Sequence, residues 1–333
     1  MKDCNLLIKF TVILKFGENL FYKKVVTQKI KNKGIKMNDR ILKRAMARID
    51  AKRHFADDRA RENLLLAYKN PKFKELYNKE REMEIEIARK EAYGEPYSTK
   101  ELNLLNQQIE FCLKDMGLNG TDIKPNYECK ECSDTGYVEG VPCDCLKKEI
   151  NKELMSYSGF THKLATFEDS EINNPAYDLM QKWCDIKNDK INVLICGHTG
   201  TGKTFLTECV ASRLMEKNRL VLFTTAFNLN NAMFNYHISL DANRDEIIKP
   251  YMESEVLIID DLGSEPIKKN VTQEYLYLIV NERMMNRLPT IITTNLMPKD
   301  IMETYGERLA SRLFNKKTSI MINLEGDDLR LKK

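Results

Sequence analysis

The chain has 333 residues, 42% of them hydrophobic and 31% charged, with a net charge of +4. That supplies apolar material for a sizeable core in one or two domains and carries too much charge for a membrane protein. No apolar run approaches the roughly 18 residues of a transmembrane helix, and Lys9 and Lys15 interrupt the early apolar stretch 6–16, which also lacks a small-residue cleavage site, so a cytoplasmic chain with no membrane attachment is expected.

Residues 1–36 hold nine Lys against Asp3 and Glu18, a local balance of +7, whereas the remaining 44 basic and 47 acidic residues give −3. Bulk charge therefore gives no evidence of nucleic-acid binding by the main body, because phosphate neutralisation needs clustered Lys or Arg. Two readings of this segment stand level: a basic extension, or sequence upstream of a translational start at Met37. From residue 37 a helical pattern begins, with Asn38 or Asp39 as N-cap and Ile41, Leu42, Ala45, Met46 and Ile49 at helical spacing. A helical, densely charged region over 37–120 follows, with breaks at Asn70-Pro71 and across 94–98. The stretch 72–93 has few apolar positions for its length and reads as a solvated helix or a partner-binding arm.

Composition shifts at 121–150, where Gly, Pro and Cys concentrate. Two residues separate Cys129 from Cys132 and one separates Cys143 from Cys145, while Gly136 and Gly140 supply turns between the pairs. Four soft ligands suit Zn²⁺ in a closed structural site that orders a segment with little core of its own. An iron–sulfur cluster takes the same four ligands. The other cysteines, Cys4, Cys112, Cys184, Cys196 and Cys209, are scattered through apolar contexts, as in a reduced compartment.

Residues 151–333 alternate β-branched runs with helical stretches, the pattern of a parallel sheet covered by helices. Strands are expected at 193–196, 220–224, 256–260, 290–294 and 319–324. Gly197, His198, Thr199, Gly200, Thr201, Gly202, Lys203 and Thr204 follow the first strand and match G-x-x-x-x-G-K-[ST], with a helix continuing from Phe205. Such a loop turns backbone N–H groups around a β-phosphate at the positive end of a helix dipole, with Lys203 reaching the β- and γ-phosphates of ATP and Thr204 ligating Mg²⁺. Val256-Leu257-Ile258-Ile259-Asp260-Asp261 is a buried-strand run ending in two acids. Asp260 is expected in the Mg²⁺ shell, and Asp261 is expected to orient or deprotonate the attacking water. The strand 290–294 ends at Asn295, whose amide can position that water.

This arrangement of phosphate loop, double-acid strand and strand ending in Asn resembles the AAA+ ATPases. The runs Asp260-Asp261-Leu262-Gly263-Ser264-Glu265, Glu282-Arg283-Met284, Leu288-Pro289-Thr290 and Gly306-Glu307-Arg308 resemble the DnaC/DnaI helicase-loader family over about 160–333. The fold class expected is thus α/β, an AAA+ P-loop NTPase with a parallel central sheet, preceded by a helical region and a small Cys4 module. The resemblance further implies that Arg312, with Arg308 as fallback, reaches a neighbouring subunit's γ-phosphate, and that Arg330 is a cis-acting sensor. It also implies an ATP-dependent homo-oligomer that binds single-stranded DNA and delivers a replicative DNA helicase. Phe223, Phe227, Phe234 and Tyr236 are candidate stacking side chains, although helix packing is the commoner use of such aromatics. Asp261 stands where many AAA+ members carry Glu, which suits a slow switch. Two rival readings remain open: a transposition-helper ATPase of the IstB type that works with a transposase, and an adaptor that binds ATP without hydrolysing it.

Overall fold

A computed structural model describes residues 39–159, 162–170, 174–185 and 192–326. The expected extension 1–36, the N-cap position 38 and Arg330 lie outside the described residues. The chain divides into two units, one spanning Ile49–Val141 and the other comprising 39–48 with the residues from Pro142 onward.

Three helices dominate the N-terminal region: Asp39–Ala67, Pro71–Tyr93 and Lys100–Asp115. The expected break at Asn70-Pro71 has a clear local cause. Asn70 Oδ1 accepts from the N–H groups of Lys72 (3.0 Å) and Phe73 (3.3 Å), and Pro71 fixes the first helical turn. Phe73 is fully buried with Ala67, Ile109 and Leu113, and its ring stacks on Tyr77 at 5.4 Å between centroids. Leu76 and Tyr77 pack partly buried on the same cluster, Glu80 is the other buried residue of helix Pro71–Tyr93, and most of its remaining positions are exposed.

Short strands β1 (Tyr137–Val138) and β2 (Val141–Pro142) lead into helix Asp144–Met155. Its buried Glu149 and Glu153 receive Arg48, whose Nε donates to Glu149 Oε2 at 3.1 Å and whose Nη1 donates to Glu153. From the same helix Asn151 acts as a false strand. Its Nδ2 donates to Arg219 O (2.8 Å) and its Oδ1 accepts from Val221 N (3.0 Å), covering backbone groups beside an edge strand that would otherwise stay unpaired.

The sheet contains β3 (Asn192–Cys196), β4 (Val221–Thr225), β5 (Val256–Leu262), β6 (Thr290–Thr294) and β7 (Ser319–Asn323). Their spatial order is β4-β5-β6-β3-β7, and every pairing is parallel. Parallel sheets are covered on both faces, which is why β3 and β6 are buried at every position. Helix Lys203–Glu216 lays Leu206, Val210, Ala211 and Leu214 on the sheet against Val193, Ile195, Phe223 and Ile258. Phe223 is completely buried there, so it is core and not a stacking surface.

Two of the runs quoted above have local explanations. Arg283 is fully buried; its Nη1 donates to Tyr251 O (3.0 Å) and Ser254 O (2.9 Å), its Nη2 to Pro289 O (2.6 Å) and its Nε to Thr290 Oγ1 (3.0 Å). It ties the end of helix Asp245–Glu253 to the start of β6, and burial pulls its guanidinium down to about 9. Glu265 is buried after β5, where Oε2 accepts Gly263 N at 2.9 Å and Oε1 accepts the Tyr305 hydroxyl.

Candidate active site

Strands β3, β5 and β6 are neighbours through β6, and their carboxyl ends deliver Gly197, the Asp260-Asp261 pair and Asn295 to one edge of the sheet. In open α/β sheets that edge is where ligands bind. Gly197 passes so close to the chain leaving β7 that a Cβ there would meet Leu324 O at 2.4 Å. Gly202 opens helix Lys203–Glu216 at φ 91°, a conformation available to glycine at little cost. Within the loop, Thr201 Oγ1 donates to His198 O at 2.9 Å, while His198 and Thr199 face solvent. Lys203 is buried and folds back on the loop, with Nζ donating to Gly197 O (2.8 Å) and His198 O (2.7 Å). Tyr177, a residue the motif does not reveal, donates its hydroxyl to Gly202 O at 3.2 Å and tilts its ring against Phe205, with centroids 6.3 Å apart.

The two acids sit in an irregular stretch of β5. Ile259 pairs with Ile292 and Leu262 with Thr294, so Asp260 and Asp261 together oppose Thr293 alone. This is a β-bulge, and Asp261 carries its characteristic distortion at φ 58°. Asp260 is buried, Asp261 exposed. Asp260 Oδ2 accepts from Thr204 Oγ1 (2.8 Å) and Oδ1 accepts from Thr293 Oγ1 (2.7 Å), while the N–H of Asp261 donates to the same Thr293 oxygen (2.8 Å). Burial pushes the Asp260 carboxyl above its ordinary range against the pull of these two hydroxyls, and Asp261 and Glu208 push the same way as burial. A buried carboxylate beside a hydroxyl at the start of the loop helix is a hard-oxygen pair of the kind that suits Mg²⁺. The residues therefore fit the ion, and the loop fits a phosphate chain.

Thr204 and Asp260 thus meet, while Lys203 folds onto the loop and Asp261 and the exposed Asn295 stand at the same edge. Arg312 lies elsewhere. It belongs to helix Glu307–Leu313, where its Nε donates to Asn281 Oδ1 (3.1 Å) and its guanidinium lies 5.9 Å from the Tyr277 ring centroid. Its carbonyl accepts from Ser319 Oγ (3.1 Å) and Asn192 Nδ2 (3.5 Å), the first residues of β7 and β3. The loop leaves the other end of β3, a strand rising roughly 3.3 Å per residue, so the backbone of Arg312 is anchored at the end of β3 opposite the loop. Arg308 is exposed on the same helix.

The sulfurs of Cys129, Cys132, Cys143 and Cys145 all lie within 4.8 Å of one another. Tetrahedral zinc with Zn–S bonds of about 2.3 Å requires sulfurs roughly 3.8 Å apart, so the donor set fits a closed thiolate site. Asp134 shapes the first pair, with Oδ1 accepting Cys129 N and Oδ2 accepting Glu128 N, each at 2.8 Å.

The family described as IstB-like ATP binding protein matches residues 157–333. The replicative helicase loader DnaI of Bacillus subtilis is 25% identical over 158 residues, 43% of this chain and 49% of its own length. The chromosomal replication initiator DnaA of Lachnoclostridium phytofermentans is 30% identical over 167 residues, 49% of this chain and 36% of its own length. This chain therefore spans about half or less of the length of these curated relatives. A crystal structure of the DnaC helicase loader aligns with 48% of this chain and 97% of its own at 22% identity and a TM-score of 0.42. Because the family match covers more than half of the chain and contains the whole phosphate loop and the acid pair, the protein belongs to the IstB-like ATP-binding family.

Proposed function

We propose that the protein is a slow AAA+ ATPase of helicase-loader type. It binds ATP and single-stranded DNA, assembles with copies of itself when ATP is bound, and delivers a replicative helicase in the cytoplasm. The observation that carries the chemistry is the convergence of Thr204, Thr293 and Asp261 around Asp260. The loop N–H groups and the start of helix Lys203–Glu216 hold the phosphates, and Lys203 exchanges its carbonyl partners for phosphate oxygens. Thr204 and Asp260 would hold Mg²⁺, which neutralises charge on the phosphates when bound. Asp261 accepts the proton of the attacking water, and Asn295 orients that water. Asp261, shorter than Glu, reaches less far toward the water, in keeping with slow turnover.

The loader reading draws on the similarity to DnaI and on surface aromatics paired with cations. Lys268 Nζ lies 4.3 Å from the Phe234 ring centroid, Arg244 lies 5.3 Å from that of Tyr236, and Phe227 is about half exposed. Such pairs suit stacked bases and a phosphate backbone. The Cys4 site takes zinc in this reading. Phosphate release measured with and without single-stranded DNA, at fixed Mg²⁺, tests the proposal. Absence of release with intact ATP binding would favour the non-hydrolysing adaptor.

One further reading is a transposition helper of the IstB type, the type for which the matching family is named. Preference for duplex DNA and capture of a transposase in place of a helicase would select it.

A further inference from the structure

We propose that Thr293 is the positioning residue for the two acids, its single hydroxyl fixing both the direction of Asp260 and the backbone of Asp261. This rests on the hydrolysis reading above and adds a residue that neither the loop motif nor the double-acid run contains. The bulge in β5 sets two residues against one on β6, which removes regular ladder partners from the irregular stretch. One donor there, Asp261 N, meets the Thr293 oxygen at 2.8 Å. An amide can only donate, so the hydroxyl accepts there and its own proton points to Asp260 Oδ1 at 2.7 Å.

The direction of both bonds is therefore determined, and the carboxylate cannot rotate without breaking one of its two hydroxyl contacts, to Thr293 or to Thr204. Thr294 closes the bulge on its far side, donating to Leu262 O at 2.6 Å and accepting from Leu296 N at 3.0 Å. Asp261 is held at φ 58°, a conformation that an L-residue with a side chain keeps when its surroundings over-determine it. Its exposed carboxylate is thereby carried at the sheet edge beside a buried one. In a fully buried strand, a hydroxyl with both roles filled is a hydrogen-bonding device and not packing alone.

The test compares Thr293→Val, which keeps the shape and removes the hydroxyl, with Thr293→Ser, which keeps the hydroxyl and removes the methyl. Full-length chains are assayed for nucleotide affinity without Mg²⁺, for the Mg²⁺ concentration giving half-maximal phosphate release, and for kcat. The Val variant is expected to bind Mg²⁺-free ATP within about twofold of wild type and to lose about 10–100-fold in kcat or Mg²⁺ affinity, the usual effect of removing a partner behind a metal ligand. The Ser variant is expected to restore most of that loss. Val equal to wild type, or a folded Ser variant as impaired as Val, overturns the proposal. If the Val chain does not fold, the Ser chain alone decides, because a folded Ser variant impaired tenfold contradicts a role for the hydroxyl. If wild type releases no phosphate, the hydrolysis reading fails. The positioning claim is then judged by whether Mg²⁺ tightens ATP binding to wild type and Thr293→Ser but not to Thr293→Val.

Discussion

Thr204 Oγ1 lies 2.8 Å from Oδ2 of Asp260 across 56 positions of sequence, so the first turn of the loop helix and the end of β5 are joined at one oxygen. This contact brings a hydroxyl suited to a cation beside the carboxylate that would share it.

Burial raises the Asp260 carboxyl pKa above its value in the unfolded chain. A carboxyl raised on folding favours the fold while protonated, and that contribution is lost as pH rises through the folded pKa. At neutral pH, above the unfolded value, the group therefore weighs against the nucleotide-free fold. Asp260→Asn should melt above wild type at neutral pH without nucleotide, the gap closing toward about pH 4 where ordinary carboxylates protonate. Thermal melts across pH check this; a variant less stable at neutral pH contradicts it.

Asp261→Asn keeps the shape of an exposed side chain and leaves Asp260 and Thr204 in place. ATP binding should stay within about twofold, while phosphate release falls on the order of 100-fold or more, the range for losing a general base. Equal loss of binding in Asp260 and Asp261 variants would show that the division of roles is wrong.

Arg312 spends its Nε on Asn281, and its backbone is anchored at the end of β3 opposite the loop. A partly exposed contact of this kind adds under about 1 kcal/mol to its own chain, so Arg312→Ala should fold and bind ATP normally. Hydrolysis and ATP-dependent assembly should fall. Mixing Arg312→Ala with Lys203→Ala should recover part of the turnover, since the second chain can supply Arg312 to the intact pocket of the first. No recovery in mixtures shown by cross-linking to contain both chains would place Arg312 outside a shared site.

For the cysteine centre, protein purified without added metal should carry about one zinc per chain, the stoichiometry of a closed four-thiolate site. Replacing Cys129 and Cys132 by Ser should remove it. Iron with visible absorbance would overturn the choice of zinc.

Much of the sheet was legible because parallel strands covered on both faces read as unbroken apolar runs, as in β3 and β5. The expected strand 220–224 is displaced by one residue, and β5 runs on to Leu262 because the bulge lets pairing resume at Thr294. The bulge itself was not legible, since it depends on the register of two strands more than 30 positions apart in contact. For the same reason nothing in the local sequence marks Asn151 as the cap of an edge strand or Arg48 as the partner of Glu149, 101 positions away. Phe223 misled because its neighbours do not reveal that both faces of β4 are covered. The phosphate loop was the clearest feature, because its glycines answer a backbone requirement that is purely local.

The central claim is that Lys203, Thr204 and Asp260 form a Mg²⁺–ATP site. Equilibrium binding of a fluorescent ATP analogue to wild type and Lys203→Ala tests it directly. Losing one charge-assisted contact should weaken binding about 10–100-fold with the thermal midpoint of the nucleotide-free chain little changed. Equal affinity in the two chains would contradict the account.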